Sequence, residues 1–137
     1  SRDDGRTWGE PRVMQTPRPG TGISHGDFLI HQDKLWAFHG AFAAIETLPT
    51  LNTDAKDEFN DVFPGLCTGA YILDEGSNRW DPQGVVCENF WPCVEPVRLA
   101  NGNWFCTGMN KNFLAAVAVS DGDNLKKWSL LINLLTA

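Results

Sequence analysis

Asp27 and Glu95 are the two residues of this sequence whose type and position suggest acid–base chemistry. Each stands at the beginning of a short apolar segment, and the two segments are copies of one repeat. Two carboxyl groups that flank a sugar, one protonated and one ionised, are the general requirement of glycoside hydrolysis. The alternative is that each carboxylate caps a loop or pairs with a neighbouring arginine.

Imidazole and aromatic side chains fall close to these two carboxyl groups. His25 and His39 flank the segment that Asp27 begins, and they could act as a base, hold a metal ion or hydrogen-bond the loop backbone. No spacing typical of metal ligands supports the second role, and no cofactor is implied. Trp91 precedes Glu95 in a predicted loop, where its ring could stack on a sugar or pack in the core.

The elements that position these residues are predicted to be β-strands. Short apolar or alternating segments, separated by turn-forming residues, predict an all-β chain. These segments are 27–31, 34–39, 66–73, 84–87, 94–99, 103–107 and 114–119. Asn101-Gly102 predicts a two-residue type I′ hairpin, because both residues tolerate positive φ. The stretch 41–60 is predicted to be a short helix or an irregular loop.

A repeat relates two parts of the chain. Residues 26–40 align with residues 94–108, so that Trp36 falls on Trp104. Both copies contain an acidic residue, a strand, a turn and a strand that carries the tryptophan. Such a repeat predicts four-stranded antiparallel units like the blades of a β-propeller, and a two-sheet sandwich of the same strands is the alternative.

A second series of tryptophans completes the repeat unit. Trp8, Trp80 and Trp128 each follow a turn-rich segment, and we place them where the outer strand of a unit begins. The chain then divides into three parts: residues 1–20 as the end of one blade, residues 24–88 as a full blade with an inserted loop at 41–65, and residues 92–135 as a second blade.

The first eight residues form the most specific motif of the sequence. Ser1, Asp3, Gly5, Thr7 and Trp8 match every defined position of the Asp-box, Ser-x-Asp-x-Gly-x-Thr-Trp. The aspartate can accept hydrogen bonds from turn amides and the glycine can take positive φ. We expect the tryptophan to pack beneath the turn and lock it.

Degenerate copies of this motif end at Trp80 and Trp128, so the sequence resembles the sialidase-like (BNR or Asp-box repeat) β-propeller superfamily. The resemblance implies about two and a half blades of a six-bladed ring, with the remaining blades supplied by a longer chain. It also implies a carbohydrate-active protein that acts on a carbohydrate or glycoconjugate, as an exo-sialidase-like glycoside hydrolase or a relative. The alternative is a noncatalytic propeller that binds glycans or proteins.

The residues that sialidases use are matched only in part. Sialidases have a tyrosine nucleophile, an aspartate acid/base and three arginines that bind the substrate carboxylate. Arg18 and Arg98 are the arginines that the resemblance places on the substrate side. Tyr71 falls in a predicted third strand, where we expect a packing role. The resemblance makes the Asp-boxes structural, on the opposite side of the ring.

Composition excludes other functions. The chain has 137 residues and a formal net charge of −6, and it has no basic cluster of the kind that nucleic acids or anionic membranes require. No apolar stretch is long enough to span a bilayer. The four cysteines lie in apolar segments and predict buried free thiols rather than disulfides or a zinc site. No signal peptide is recognisable, so the localisation stays open, and a secreted or periplasmic protein is compatible.

Overall fold

The computed structural model describes residue 1 and residues 3–43 and 63–133. Within these ranges the chain forms nine β-strands and no helix, which confirms the all-β prediction. The strands are β1 (Thr21–His31), β2 (Lys34–Ala43), β3 (Cys67–Asp74), β4 (Arg79–Glu88), β5 (Trp91–Pro92), β6 (Val97–Arg98), β7 (Trp104–Met109), β8 (Ala115–Asp121) and β9 (Asn124–Asn133). Most of the predicted helix or loop at 41–60 lies outside the described residues.

The first sheet contains β1, β2, β3 and β4 in that spatial order, each antiparallel to the next. Only Gln32 and Asp33 connect β1 to β2, and both have positive φ, 50° and 56°, as a type I′ turn requires. A tight turn fixes the register, and the register decides which face each side chain takes. Trp36 and Phe38 therefore face the second sheet, and His39 faces away from it.

The second sheet is also antiparallel, and its edge strand is interrupted. β7, β8 and β9 pair in order, while β5 and β6 pair with different parts of β7. Pro92 and Pro96 flank the interruption, where a residue without an N–H cannot continue the ladder. The sequence predicted one strand over 94–99, but the structure confines the pairing there to Val97–Arg98 and leaves Glu95 between the two pieces.

The β6–β7 hairpin contains one residue more than the β1–β2 hairpin. The Leu99 N–H donates to the Asn103 carbonyl at 2.8 Å, and only Gly102 within the loop has positive φ, 88°. The predicted two-residue turn at Asn101-Gly102 is therefore wrong, and a three-residue loop with glycine in the left-handed region replaces it. The extra residue shifts β7, so that Phe105 rather than Trp104 occupies the position of Trp36.

The two sheets pack face to face around a shared core. Because of the one-residue shift, Trp104 points toward the first sheet while Trp36 points toward the second. The main cluster consists of Leu29, Trp36, Phe38, Ala70, Val86, Trp104 and Leu125. Trp128 contacts this cluster and a neighbouring one built around Phe90 and Cys106. Buried apolar area is the main force that holds two sheets together, so these contacts position β1 beside β5 and β6.

The Asp-box turn is held by its aspartate. The Thr7 N–H and hydroxyl donate to the two Asp3 carboxylate oxygens at 2.9 and 2.7 Å, and these hydrogen bonds lower the pKa of Asp3. Trp8 donates from Nε1 to the Gly5 carbonyl at 3.0 Å, but its side chain is 78% exposed, so the expected packing beneath the turn is wrong. Trp128 repeats this contact, donating to the Leu125 carbonyl at 2.9 Å.

All four cysteines are free thiols, as the sequence predicted. Cys87 and Cys106 are buried, and burial raises the pKa of each to about 12. Cys67 and Cys93 are half-buried. The thiols therefore act as small apolar groups of the core at neutral pH.

Candidate functional site

Asp27 lies where the edge strands of the two sheets come together. It pairs with Phe38 on β1 and points toward the second sheet, on the same face as Leu29. Its Oδ2 atom is buried and has no hydrogen-bond partner among the described residues. Gly26, next to it, pairs with His39 just after a register irregularity in β1, and a Cβ at Gly26 would overlap the Phe38 carbonyl. The close approach of β1 and β2 there depends on glycine.

The structure brings Asp27 and Glu95 together. Burial is the main cause of a raised Asp27 pKa, the positive charge of His25 opposes it, and the negative charge of Glu95 adds to it. Glu95 is exposed, in the interruption between β5 and β6. We call Asp27, Glu95 and His25 the carboxylate cluster. A raised pKa beside a second carboxylate is the environment in which a carboxyl group keeps a proton that it can donate.

His25 and Trp91 close one side of the carboxylate cluster. Their ring centroids are 5.1 Å apart. Trp91 is half-buried between the sheets, against Gly40, where a Cβ would lie 3.1 Å from the indole. Its Nε1 atom is buried and meets no acceptor in the described part of the chain. Trp91 therefore packs between the sheets, and it also carries a polar atom without such a partner beside the cluster.

An aromatic row continues from Trp91 along the loop end of the sheets. Phe63 meets Trp91 edge-on at 5.4 Å, and it also contacts Phe113 at 5.8 Å and Phe42 at 5.0 Å. We call Trp91, Phe63 and Phe113 the aromatic row. Neither Phe63 nor Phe113 was predicted from the sequence as a site residue. The available signal was an aromatic residue directly after the polar segment 110–112, in a loop that a propeller would place on its substrate side.

His39 does not join the carboxylate cluster. It pairs with Gly26, on the face of the first sheet opposite Asp27, and it is buried. Its Nδ1 atom lies 3.3 Å from the Gly40 carbonyl and its ring contacts Tyr71 at 5.4 Å. Burial lowers the pKa of His39. Of the three roles considered for the histidines, hydrogen bonding to backbone fits His39.

The predicted arginines have other surroundings. Arg98 lies 3.6 Å from Asp123 and over the Trp104 ring, at the turn end of β6. Arg18 is exposed before β1, where its carbonyl accepts hydrogen bonds from Thr21. The structure thus directs Arg98 away from Asp27, and within the described ranges it brings no Arg18 side-chain atom to the carboxylate cluster.

Tyr71 lies on the far face of the first sheet. Its hydroxyl donates to the Gln15 side chain, and burial raises its pKa. Because Tyr71 pairs with Ala37 while Asp27 pairs with Phe38, the two side chains project from opposite faces. The expected packing role of Tyr71 agrees with this position.

Comparison with known proteins adds no family. No family model matches the chain, and no curated protein matches it significantly. Within residues 3–43 and 63–133, no three His, Cys, Asp or Glu side chains converge as ligands of one metal ion. In the same part of the chain, no helix is long and apolar enough to cross a membrane.

Proposed function

We propose that the two sheets are neighbouring blades of a sialidase-like β-propeller and that the carboxylate cluster between them is the active site of a glycoside hydrolase. Two structural features support the propeller. The Trp36 face of the first sheet packs on the face of the second sheet that does not correspond to it, as in radial packing of blades in one rotational sense. The outer faces also expose apolar side chains such as Phe28 and Val97, which further blades of a six-bladed ring would cover.

The Asp27 carboxyl group is the single observation that carries the enzymatic proposal. It combines a buried oxygen without a partner among the described residues, a raised pKa and a second carboxylate in its field. Asp27 would donate its proton to the glycosidic oxygen as the bond to the anomeric carbon breaks. Glu95 would accept a proton from the water that attacks this carbon, so that the products are a free sugar and an alcohol.

Hydrolysis assays on the full-length protein test this proposal. A panel of fluorogenic sialosides and neutral aryl glycosides should include a substrate that is turned over. We expect Asp27→Asn and Glu95→Gln each to lower kcat/KM by roughly 10² to 10⁴-fold, as loss of general acid or base catalysis does. Asp33→Asn, in the exposed β1–β2 turn, is the matched control and should keep the wild-type rate. No turnover across the panel, or equal rates in Asp27→Asn and Asp33→Asn, would reject the enzyme.

A noncatalytic glycan-binding propeller is the second candidate. The pairing of Arg98 with Asp123 favours it, because this arginine is then lost from the substrate carboxylate site of a sialidase. In the same panel, sugars that bind without being hydrolysed would support this candidate over the enzyme.

A further inference from the structure

Phe113 occupies an unusual backbone conformation in the loop between β7 and β8. Its φ is +61°, in the left-handed region that bulky side chains rarely adopt. Its side chain is 39% exposed, so burial in a core does not explain why a phenylalanine stands there. Strained residues of this kind concentrate at ligand-binding sites, where the position of one side chain matters more than local stability.

The loop holds this conformation through a buried asparagine. Asn110 is 1% exposed, and its side-chain oxygen accepts hydrogen bonds from the N–H groups of Asn112 at 2.9 Å and Leu114 at 3.1 Å. The Phe113 N–H donates to the Asn110 carbonyl at 2.9 Å. These bonds close the loop around Phe113 and set the direction of its ring in advance of any ligand.

The aromatic row connects this ring to the carboxylate cluster. Phe113 contacts Phe63, Phe63 contacts Trp91, and Trp91 contacts His25, with centroid separations of 5.8, 5.4 and 5.1 Å. Trp91 is half-buried and Phe63 is buried, so Phe113 is the exposed end of the row. A molecule bound at Asp27 and extending along the row would reach Phe113 next.

We infer that Phe113 is a platform for a second pyranose ring, the leaving-group sugar of a glycoside whose first ring lies at the carboxylate cluster. The apolar face of a pyranose packs well on an exposed aromatic ring, and a ring that is already held in place loses little entropy on binding. This inference rests on the proposed function, because it assigns the leaving-group side of the same site.

Binding measurements on matched sugars test the platform separately from turnover. The probes are pairs with and without a second sugar: methyl sialoside and sialyllactose, methyl galactoside and lactose, and methyl glucoside and maltose. Phe113→Asn removes the ring while keeping a residue that tolerates positive φ. For the pair that binds, we expect about tenfold weaker binding of the oligosaccharide and an unchanged Kd for the methyl glycoside.

Two further variants complete the test. Phe113→Tyr keeps an aromatic face and should restore the oligosaccharide Kd to within about twofold. Phe28→Asn removes an exposed ring on the far face of the first sheet and should change neither Kd. Thermal melting establishes that each variant is folded before its affinity is compared.

The outcomes distinguish this inference from the proposed function. If Phe113→Asn weakens both members of a pair equally, leaves both unchanged, or if no pair binds, the platform is rejected. If Asp27→Asn abolishes hydrolysis while Phe113→Asn has no selective effect, the enzyme stands and the platform fails. If Asp27→Asn has no effect on hydrolysis but Phe113→Asn selectively weakens oligosaccharide binding, the platform stands in a binding protein.

Discussion

Asp27 and Asp123 are two aspartates near opposite ends of the same pair of edge strands, β1 and β6, and their surroundings are opposite. Asp123 is fully partnered: it accepts hydrogen bonds from Trp104 Nε1 at 3.0 Å and Gln32 Nε2 at 3.2 Å, and it lies 3.4 Å from His31 and 3.6 Å from Arg98. Led by the Trp104 hydrogen bond, these contacts lower its pKa. Asp27 has a raised pKa and a buried oxygen that no described residue partners.

This difference separates a structural cluster from a site that is available to a ligand. At Asp123, side chains of β1, β6 and β7 converge on one carboxylate and join the two sheets. At Asp27, an unpaired buried oxygen lowers the stability of the protein unless something binds there. Natural proteins keep such groups where function requires them, so the contrast identifies Asp27 as the functional one of the pair.

The largest expected effect comes from the glycine beside Asp27. Gly26→Ala would place a Cβ into the Phe38 carbonyl, and β1 would have to move away from β2. We expect the free energy of unfolding to fall by about 3 kcal/mol or more, because the obstacle is backbone rather than a flexible side chain. Urea denaturation measures this loss.

Gly122→Ala is the matched control at the Asp123 end. Gly122 has a φ of +62°, and no atom of the described residues lies within 4 Å of the place that a Cβ would take, so alanine there meets only backbone strain. We expect a loss of about 1 kcal/mol. Equal losses in the two variants would mean that the tight contact of β1 with β2 at Gly26 is not required.

The next effect is the loss of either aspartate, and the two substitutions should act in opposite directions at pH 7. Asp123→Ala leaves the buried Trp104 N–H without its acceptor and should lower the melting temperature by a few degrees. Asp27→Asn removes a carboxylate that burial disfavours, and it should leave the melting temperature unchanged or raise it slightly. Differential scanning calorimetry on both variants measures the contrast.

The pH dependence sharpens this contrast. The lowered pKa of Asp123 gives stability that is present above its ordinary value of 3.8 and is lost as the pH falls through the folded-state pKa. The raised pKa of Asp27 has the opposite sign, since stability is lost as the pH rises from 3.8 through the folded-state pKa. Both variants should therefore approach the wild-type melting temperature in strong acid. A deficit of Asp123→Ala that grows toward low pH would contradict this account.

The fold could be predicted from the sequence where local pattern determines it. Alternating apolar residues and turn formers predicted most strands, and the pairing of equivalent inner strands brought Asp27 beside Glu95 as expected. The alignment failed after the second hairpin, because one extra loop residue changes the face of every later side chain. Trp36 and Trp104 look equivalent in the sequence but face each other across the core.

The site could be predicted only where it depends on residue type. His39 and Arg98 were expected near the substrate from their place in the chain, but strand register turns His39 to the other face and Asp123 holds Arg98. Phe63 and Phe113 were missed because a ring contact between distant loops leaves no periodic pattern. Whether Asp27 has a hydrogen-bond partner depends on packing between sheets, which sequence pattern does not specify.

The smallest expected effect concerns two tryptophans that extend the same comparison. Trp128 donates its indole N–H to the Leu125 carbonyl at 2.9 Å, whereas the buried indole N–H of Trp91 has no acceptor among the described residues. Substitution by phenylalanine removes the same atoms at both positions, so that the loss of packing is similar and the hydrogen bond is the difference. Trp91→Phe should therefore destabilise the protein less than Trp128→Phe, by about 1 kcal/mol. Urea denaturation of both variants measures the difference, and equal losses would indicate that the Trp91 N–H finds an acceptor in solution. If the Trp91 N–H instead serves a bound sugar, saturation with the oligosaccharide should stabilise the wild type more than Trp91→Phe, because only the wild type can donate that hydrogen bond.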